Sequence, residues 1–485
     1  MRPQVAPART FDPALSRLVV RGRIELRLKD EESFGDIPSW RDVASGQAVA
    51  SGRIDGGRVD RTIARFSPAM RASRTFSSAA GRPGRAHEGW SELERSLGLA
   101  DTLRLDLDPD ISLLNLVDAL AELDLVVSVT PHYLCQAPFA APPPPSASPG
   151  DPSVFERVGA ARALAMEPGD DALIVAIVDS GVALRHPELV GALRPGADTV
   201  DLNDVRLTRG LRLMGDTQGR DREPDDDMGH GTGCASIIAA RGLRVHAGLA
   251  GAARLLPMRA LARAQKVDGR EPTAVGALPD IDAAVKLAVD LGARVLNLSF
   301  GTPASALRPT DPVPHKAVVR YAHEHGCVLV AASGNSGDDT VYYPAALPEV
   351  IAVGAVDAAD RPSRFSTRGP HVALCAPGEA IPCAGVEGYQ ENTGTSFAAP
   401  FVTAAAALVV ARANRQSQPV TPADVRALLT AGASSVPAAA DVRGSGAGVL
   451  DIPLTLKLVD AASRGPPGEG LSSPSQARLH PRPAL

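Results

Sequence analysis

From about residue 153 the chain alternates continuous apolar runs with longer segments whose apolar positions recur at helical spacing. Leu173–Val178, Val295–Phe300, Cys327–Ala332 and Val350–Val356 are such runs, and Arg254–Leu261 is another with polar ends. Uninterrupted runs of roughly four to eight residues suit strands buried on both faces of a parallel sheet. Between them, Ile281–Leu291 puts Ile281, Ala284, Val285, Ala288 and Leu291 on one face and stops at Gly292, and Lys316–His325 stops at Gly326. A helix is expected directly after His230 and another over Phe397–Ala411, a run almost wholly small and apolar. This alternation predicts a doubly wound α/β domain with a mainly parallel sheet, and no internal repeat interrupts it.

The chain before residue 136 reads differently. Leu18–Leu28 alternates in part and predicts a strand, residues 30–85 are polar and Gly/Arg-rich, and Ser91–Leu99 predicts a short helix. Thr102–Leu107 predicts a strand, Ile111–Leu123 a helix and Leu125–Thr130 a β-branched strand. The order predicts a small α+β domain. The expected organisation is therefore a flexible lead over 1–16, the α+β domain over 17–135, a Pro-rich linker over 136–153, the α/β domain over 154–463 and a disordered tail over 464–485. The linker contains Ala137-Pro-Phe-Ala-Ala-Pro-Pro-Pro-Pro-Ser-Ala-Ser-Pro-Gly150. Proline at that density continues neither helix nor sheet and leaves an extended, cleavable segment.

Composition narrows the function classes. Of 485 residues 44% are hydrophobic, so the chain is globular, and with a net charge of −5 and no basic block nucleic acid is not an expected partner. The N-terminus lacks the apolar core of a secretory signal, and the longest apolar run, after Ser396, falls short of the roughly 20 residues that span a bilayer. A soluble chain is expected, cytoplasmic or exported by a route without a recognisable signal. The five cysteines, Cys135, Cys234, Cys327, Cys375 and Cys383, are too sparse for a disulfide framework and show no zinc spacing. A Cys375–Cys383 bridge is the one pairing considered, and free thiols are the expectation.

Polar residues interrupt the apolar pattern where open α/β sheets gather their chemistry, beyond the carboxyl ends of strands. Asp179 ends the first central strand, and Asn335 follows the strand that ends at Ala332. His230 opens a helix between two glycines, and Ser396 sits at the loop-to-helix junction of Asn392-Thr-Gly-Thr-Ser-Phe-Ala-Ala-Pro400. A serine there has its own N–H unpaired and a favourable dipole, which suits a nucleophile whose attack creates an oxyanion. Histidine is the base that titrates near neutrality, a carboxylate behind it fixes its tautomer, and a side-chain amide adds a second oxyanion donor. Each residue also has a plain structural reading: a helix cap at Thr395 or Ser396, a turn cap at Asp179, a loop histidine at His230 and a left-handed turn at Asn335. Pro400 is read as a first-turn proline, where the missing N–H costs little.

Taken together, these stretches resemble the subtilisin-like serine proteases, the subtilases. The matching segments are Ile174-Val-Ala-Ile-Val-Asp-Ser-Gly-Val182 with His186-Pro-Glu-Leu189, Gly229-His-Gly-Thr232 and Leu296-Asn-Leu-Ser-Phe-Gly301. Val328–Gly337, Tyr343-Pro-Ala345, Phe365-Ser-Thr-Arg-Gly369, Ala376-Pro-Gly378 and Gly394-Thr-Ser-Phe-Ala-Ala-Pro400 follow, so that about 160–455 is covered. The resemblance implies a serine endopeptidase working through an acyl-enzyme, with Asp179 orienting His230, His230 as general base and then acid, and Ser396 as nucleophile. It implies an oxyanion hole from Asn335 and the Ser396 N–H. It also implies substrate-lining strands at Leu298, Ser299, Phe300 and Gly301 and at Ala332, Ser333 and Gly334, pairing with an extended peptide. No cofactor is implied for the chemical step. The substrate would be a peptide or protein, and the N-terminal domain resembles the family's propeptides, an intramolecular inhibitor and folding template.

Two departures are visible. The family's second histidine, three residues after the catalytic one, is Gly233 here, and Cys234 follows it as in the proteinase-K-like subtilases. Carboxylates crowd Asp198–Asp227, among them Asp201, Asp204, Asp216, Asp221 and Glu223. They leave open a structural Ca²⁺ site, a solvated acidic loop, or selection of basic substrate residues. An inactive peptide-binding homologue and the acid-active sedolisin class, whose base is a glutamate, are the rival readings.

Overall fold

The computed structural model describes residues 19–29, 36–137, 153–202, 211–216, 221–266, 272–436 and 444–463. The expected lead over 1–16, most of the linker, the tail over 464–485 and Asp204 lie outside these residues.

The N-terminal part runs β1 (Val19–Leu28), α1 (Trp40–Ala44), α2 (Arg58–Ala64), β2 (Met70–Arg74), α3 (Glu92–Ser96), β3 (Thr102–Leu107), α4 (Leu113–Ala121) and β4 (Val126–Ala137). The weakly patterned stretch 30–85 thus holds two helices and a strand that the polarity of their exposed positions conceals. The C-terminal part continues with α5 (Ser153–Arg157), α6 (Ala160–Met166), β5 (Ile174–Asp179), β6 (Ala197–Asp198), β7 (Leu211–Leu213), α7 (His230–Ala239), β8 (Arg254–Arg259), β9 (Ala262–Lys266), β10 (Pro272–Ala277) and α8 (Leu278–Asp290). Then come β11 (Val295–Leu298), β12 (Thr302–Pro303), α9 (Lys316–Glu324), β13 (Val328–Ala332), β14 (Tyr342–Tyr343), β15 (Val350–Val356), β16 (Val372–Pro377), β17 (Ile381–Ala384), β18 (Tyr389–Asn392), α10 (Thr395–Arg415), α11 (Pro422–Ala431) and α12 (Ile452–Ala462).

The apolar runs form one sheet in the order β16-β15-β13-β11-β5-β8-β6, every pair parallel. Its central strands are buried except for the half-buried Ile174 at the start of β5, as an α/β core demands. Helix α10 lies in that core. It has 21 residues and, by length and apolarity alone, is long enough to cross a membrane, but its apolar window is 94% buried inside the protein. The run is therefore longer than the sequence suggested, and its all-round apolarity comes from being enclosed on every side.

The second large sheet is mixed in origin. β2-β3-β1-β4 belongs to the N-terminal part, and β10, β9 and β7 of the C-terminal part extend it, all pairs antiparallel. β4 is longer than the Leu125–Thr130 run predicts, because Leu134–Ala137 finds a partner strand in β10. The same interface buries ion pairs: Arg104 of β3 reaches Asp280 Oδ1 at 2.7 Å and Asp201 Oδ2 at 2.6 Å, and Lys286 of α8 reaches Glu94 at 2.8 Å. Removing one partner of such a pair costs roughly 3–5 kcal/mol, so these charges fix the docking register.

Candidate active site

The site assembles where β5, α7 and α10 end or begin. The carbonyl of Asp179, last residue of β5, accepts from the Ala260 and Leu261 N–H groups beyond β8, at 2.8 and 3.1 Å. Its side chain is fully buried, and Oδ1 accepts from Ser180 N (2.7 Å) and faces His230 Nδ1 at 2.6 Å. Gly231 permits this approach: a Cβ there would lie 2.1 Å from the Gly181 carbonyl and 3.0 Å from Asp179 Cβ.

Asp226 locks β5 to the start of α7. Its carboxylate accepts from Ser180 Oγ, Met228 N, Gly229 N, Thr232 N and Thr232 Oγ1, at 2.6 to 3.0 Å. Ser180 Oγ in turn accepts from Gly231 N at 3.0 Å. Sequence reasoning placed Asp226 in the acidic cluster and missed this role, because one organising carboxylate among many acidic neighbours has no distinguishing spacing.

Ser396 is the second residue of α10. Its hydroxyl donates to the Ser299 carbonyl at 3.1 Å. The helix starts at Thr395, so Pro400 falls in the second turn and not the first. Lacking an N–H, Pro400 leaves the carbonyl of Ser396 without its ordinary helical partner. Ser299 Oγ (2.8 Å) and Cys234 Sγ (3.3 Å) donate to that carbonyl instead. The cysteine after Gly233 thus has a defined job. Burial, with Asp179 nearby, raises its thiol well above the ordinary value, so it stays a neutral donor. Its sulfur also lies within 4.8 Å of the ligating atoms of Asp179 and His230, and the His230 ring meets Phe397 edge-on with centroids 5.3 Å apart. Carboxylate, imidazole and the Ser396 backbone therefore converge around Cys234.

Asn335 Oδ1 accepts from Thr395 N (3.0 Å) and Thr395 Oγ1 (2.8 Å), which leaves its amide Nδ2 to face Gly394. A Cβ on Gly394 would sit 3.2 Å from Asn335 Nδ2 and 3.8 Å from Ser396 N, and φ there is +154°. Glycine keeps open a small space bordered by two donors, the requirement of an oxyanion hole. Gly233, the departure from the family pattern, is explained by crowding: a Cβ there would come within 3.2 Å of Asn392 Nδ2, Phe397 Cε1 and Cys383 Sγ. All five cysteines are buried and free.

The expected substrate-lining residues divide. Gly301 N donates to the Gln136 carbonyl at 3.3 Å, so Leu134–Ala137 lies between Gly301 and β10, its other partners running from Leu134–Ala277 to Ala137–Ala274. Ser299 faces Ser396, and Phe300 is buried with its ring edge-on to His315. Leu298, by contrast, is paired on both sides, with Val178 and Ala331, and its backbone has no edge to offer a peptide. Ala332 pairs with Val353, while Ser333 and Gly334 are tied to Thr367 and Thr395 and support Asn335. The strand β10, which pairs with the other edge of Leu134–Ala137, was not read from the sequence because six small, weakly alternating residues carry no strand signal.

The chain matches the subtilase family over residues 170–448 and belongs to that family. Its members are serine endopeptidases that hydrolyse peptide bonds with an Asp-His-Ser triad and need no cofactor for the chemical step, and the fold is the α/β subtilisin fold. It is 36% identical over 242 residues to the thermophilic serine proteinase of Bacillus sp. (strain AK1), covering 49% of this chain and 52% of that one. It is 33% identical over 248 residues to thermitase of Thermoactinomyces vulgaris, covering 50% of this chain and 76% of the relative. Among solved structures, the prenylagaramide maturation protease PagA superposes with a TM-score of 0.50 at 26% identity over 62% of this chain and 98% of that one.

Proposed function

We propose that this protein is an endopeptidase in which Ser396 attacks the scissile carbonyl, His230 takes and returns the proton, and Asp179 holds the imidazole. Asn335 Nδ2 and the Ser396 N–H receive the oxyanion. The Ser396 hydroxyl, resting on the Ser299 carbonyl, turns toward His230 when a substrate strand takes that carbonyl.

The observation that carries the reading is β4. Leu134–Ala137 runs antiparallel to β10 and meets Gly301 from the other side, as a peptide substrate does by strand addition. Because Gln136 pairs antiparallel with Gly301, Ser299 lies in the direction in which β4 points at Ala137. The bonds that follow Ala137 are therefore the ones offered to Ser396, and the N-terminal domain is both first substrate and intramolecular inhibitor. The domain limits 17–135 and 154–463 fit this division, with β4 extending the first to Ala137. Four of the described acidic side chains, Asp198, Asp225, Asp226 and Asp227, are committed to protein donors and are not open ligands for a structural Ca²⁺. Asp198 is paired with Arg259, Asp225 accepts from Leu184 N, Asp226 has five donors, and Asp227 accepts from Asp216 N.

A fluorophosphonate probe combined with intact-mass analysis tests the proposal. The expected result is labelling on the peptide containing Ser396, in a fragment whose new N-terminus lies between residues 138 and 153. A chain that stays whole and unlabelled would refute it.

Inhibition should weaken with pH. Glu25 of β1 lines a cavity of about 450 Å³ between the two parts together with Asp282, has Arg104 of β3 as its cross-strand partner, and accepts from Thr75 Oγ1 at 3.1 Å. Burial and then the Asp282 charge push its carboxyl up to about 8. The docked form keeps a proton that a free carboxyl releases near its ordinary 4.5. Docking therefore takes up a proton between these values and weakens as pH rises, by at most about tenfold per pH unit. After self-cleavage the two fragments should co-elute on size exclusion at pH 6 and separate at pH 9. Glu25→Gln should flatten the dependence; an unchanged pH profile in that variant would remove Glu25 as its cause.

A further inference from the structure

Side chains on β4 alternate, and Tyr133, Cys135 and Ala137 share the face turned to the C-terminal part. Cys135 and Ala137 are buried in that part's hydrophobic core, with Phe300 and Leu261. Tyr133, 6% exposed, reaches further along the same face. Its hydroxyl donates to Asp311 Oδ2 at 2.6 Å, in the loop after β12. Asp311 is held from behind by Arg308, whose backbone N–H gives to Oδ2 (2.9 Å) and whose Nε and Nη2 lie 3.0 Å from Oδ1. The carboxylate is 1% exposed, so the loop fixes it as an acceptor aimed at the strand. Pro312, Val313, Pro314 and Leu278 line the adjoining cavity and supply an apolar wall for a ring.

We propose that Asp311 forms a distal specificity subsite that recognises the hydroxyl of a tyrosine three residues before the substrate residue paired with Gly301. This rests on β4 occupying the substrate path, as proposed above. The chemistry favours tyrosine over the alternatives. Arg308 already balances the Asp311 charge, so a neutral donor suffices and a lysine or arginine gains little. A serine is too short to reach from the strand. Phenylalanine fits the wall but removes one of the two donors to Asp311 Oδ2, leaving the Arg308 N–H, and hydrogen bonds to charged groups are the costly ones to lose. Tyr133 fills this subsite in the full chain, and a protein substrate takes its place once the N-terminal part has gone.

The test uses self-processed enzyme and quenched fluorogenic peptides of the residue 130–143 sequence, with Cys135→Ser to prevent oxidation and Tyr, Phe or Ala at position 133. The wild type should cleave the Tyr peptide with a kcat/KM about tenfold or more above the Phe peptide, the difference lying in KM. In Asp311→Ala the Tyr-to-Phe ratio should fall to about one. Equal turnover of Tyr and Phe peptides by the wild type overturns the subsite while leaving the protease reading intact. So does a ratio that survives Asp311→Ala, or an effect of that variant confined to how tightly the cleaved N-terminal part is held. Absence of both probe labelling and turnover overturns the protease reading and the subsite with it.

Discussion

Ser396→Ala should lower kcat by about 10⁶-fold while shifting Tm by no more than a few degrees. The two expectations come from different atoms of one residue. In the proposed mechanism the hydroxyl is the nucleophile, and without it only oxyanion stabilisation and binding remain. Its single hydrogen bond, to the Ser299 carbonyl, is worth about 1 kcal/mol. The structural work at this position belongs to the backbone carbonyl, which Pro400 deprives of a helical partner and which Ser299 and Cys234 satisfy. Alanine leaves that carbonyl, its donors and the helix start in place. The variant should therefore stay as one uncut chain, unlabelled by fluorophosphonate, with a melting curve close to the wild type. Activity above about one part in 10³ of wild type would mean that another group attacks. A fall of ten degrees or more would mean that the hydroxyl holds the fold and that its catalytic role cannot be read from the loss.

The candidate catalytic residues stand out in the sequence because each sits where a strong pattern breaks. Asp179 ends an all-apolar strand, His230 stands between glycines, and Ser396 opens an apolar helix. The parallel sheet was legible for the same reason: strands buried on both faces tolerate almost nothing polar. What the sequence hid is cooperative. Asp226 matters because five donors converge on it from Ser180, Met228, Gly229 and Thr232, a fact of closure and not of spacing. The placing of Pro400 depended on where α10 begins, and a one-turn error there concealed the link from proline to Cys234. β10 carries too little side-chain information to announce itself, and it becomes a strand through its neighbours β4 and β9. Leu298 was assigned to the substrate wall by its motif, but only a three-dimensional pairing shows that both its edges are taken.

Asp179→Asn should cost about 10⁴-fold in kcat at neutral pH. Oδ1 accepts from Ser180 N and faces His230 Nδ1, while Oδ2 has no hydrogen-bond partner among the described residues. The carboxylate thus commits one oxygen to the loop and to the imidazole at once. An asparagine can satisfy Ser180 N and His230 with its carbonyl oxygen, but it then offers a neutral acceptor where an imidazolium forms. If it presents its NH₂ to Nδ1, the ring is held in the tautomer that keeps its proton on Nε2, and the base is lost. Either orientation removes the stabilisation of charge that the buried carboxylate supplies in a water-poor site. The shape of the residue is preserved and Gly231 still allows the approach, so folding should change little. The loss should appear in kcat with KM close to wild type, in steady-state assays on the Tyr-containing peptide. If the variant keeps more than about a tenth of wild-type kcat, Asp179 is a structural cap on the β5 turn and the imidazole is oriented by another group.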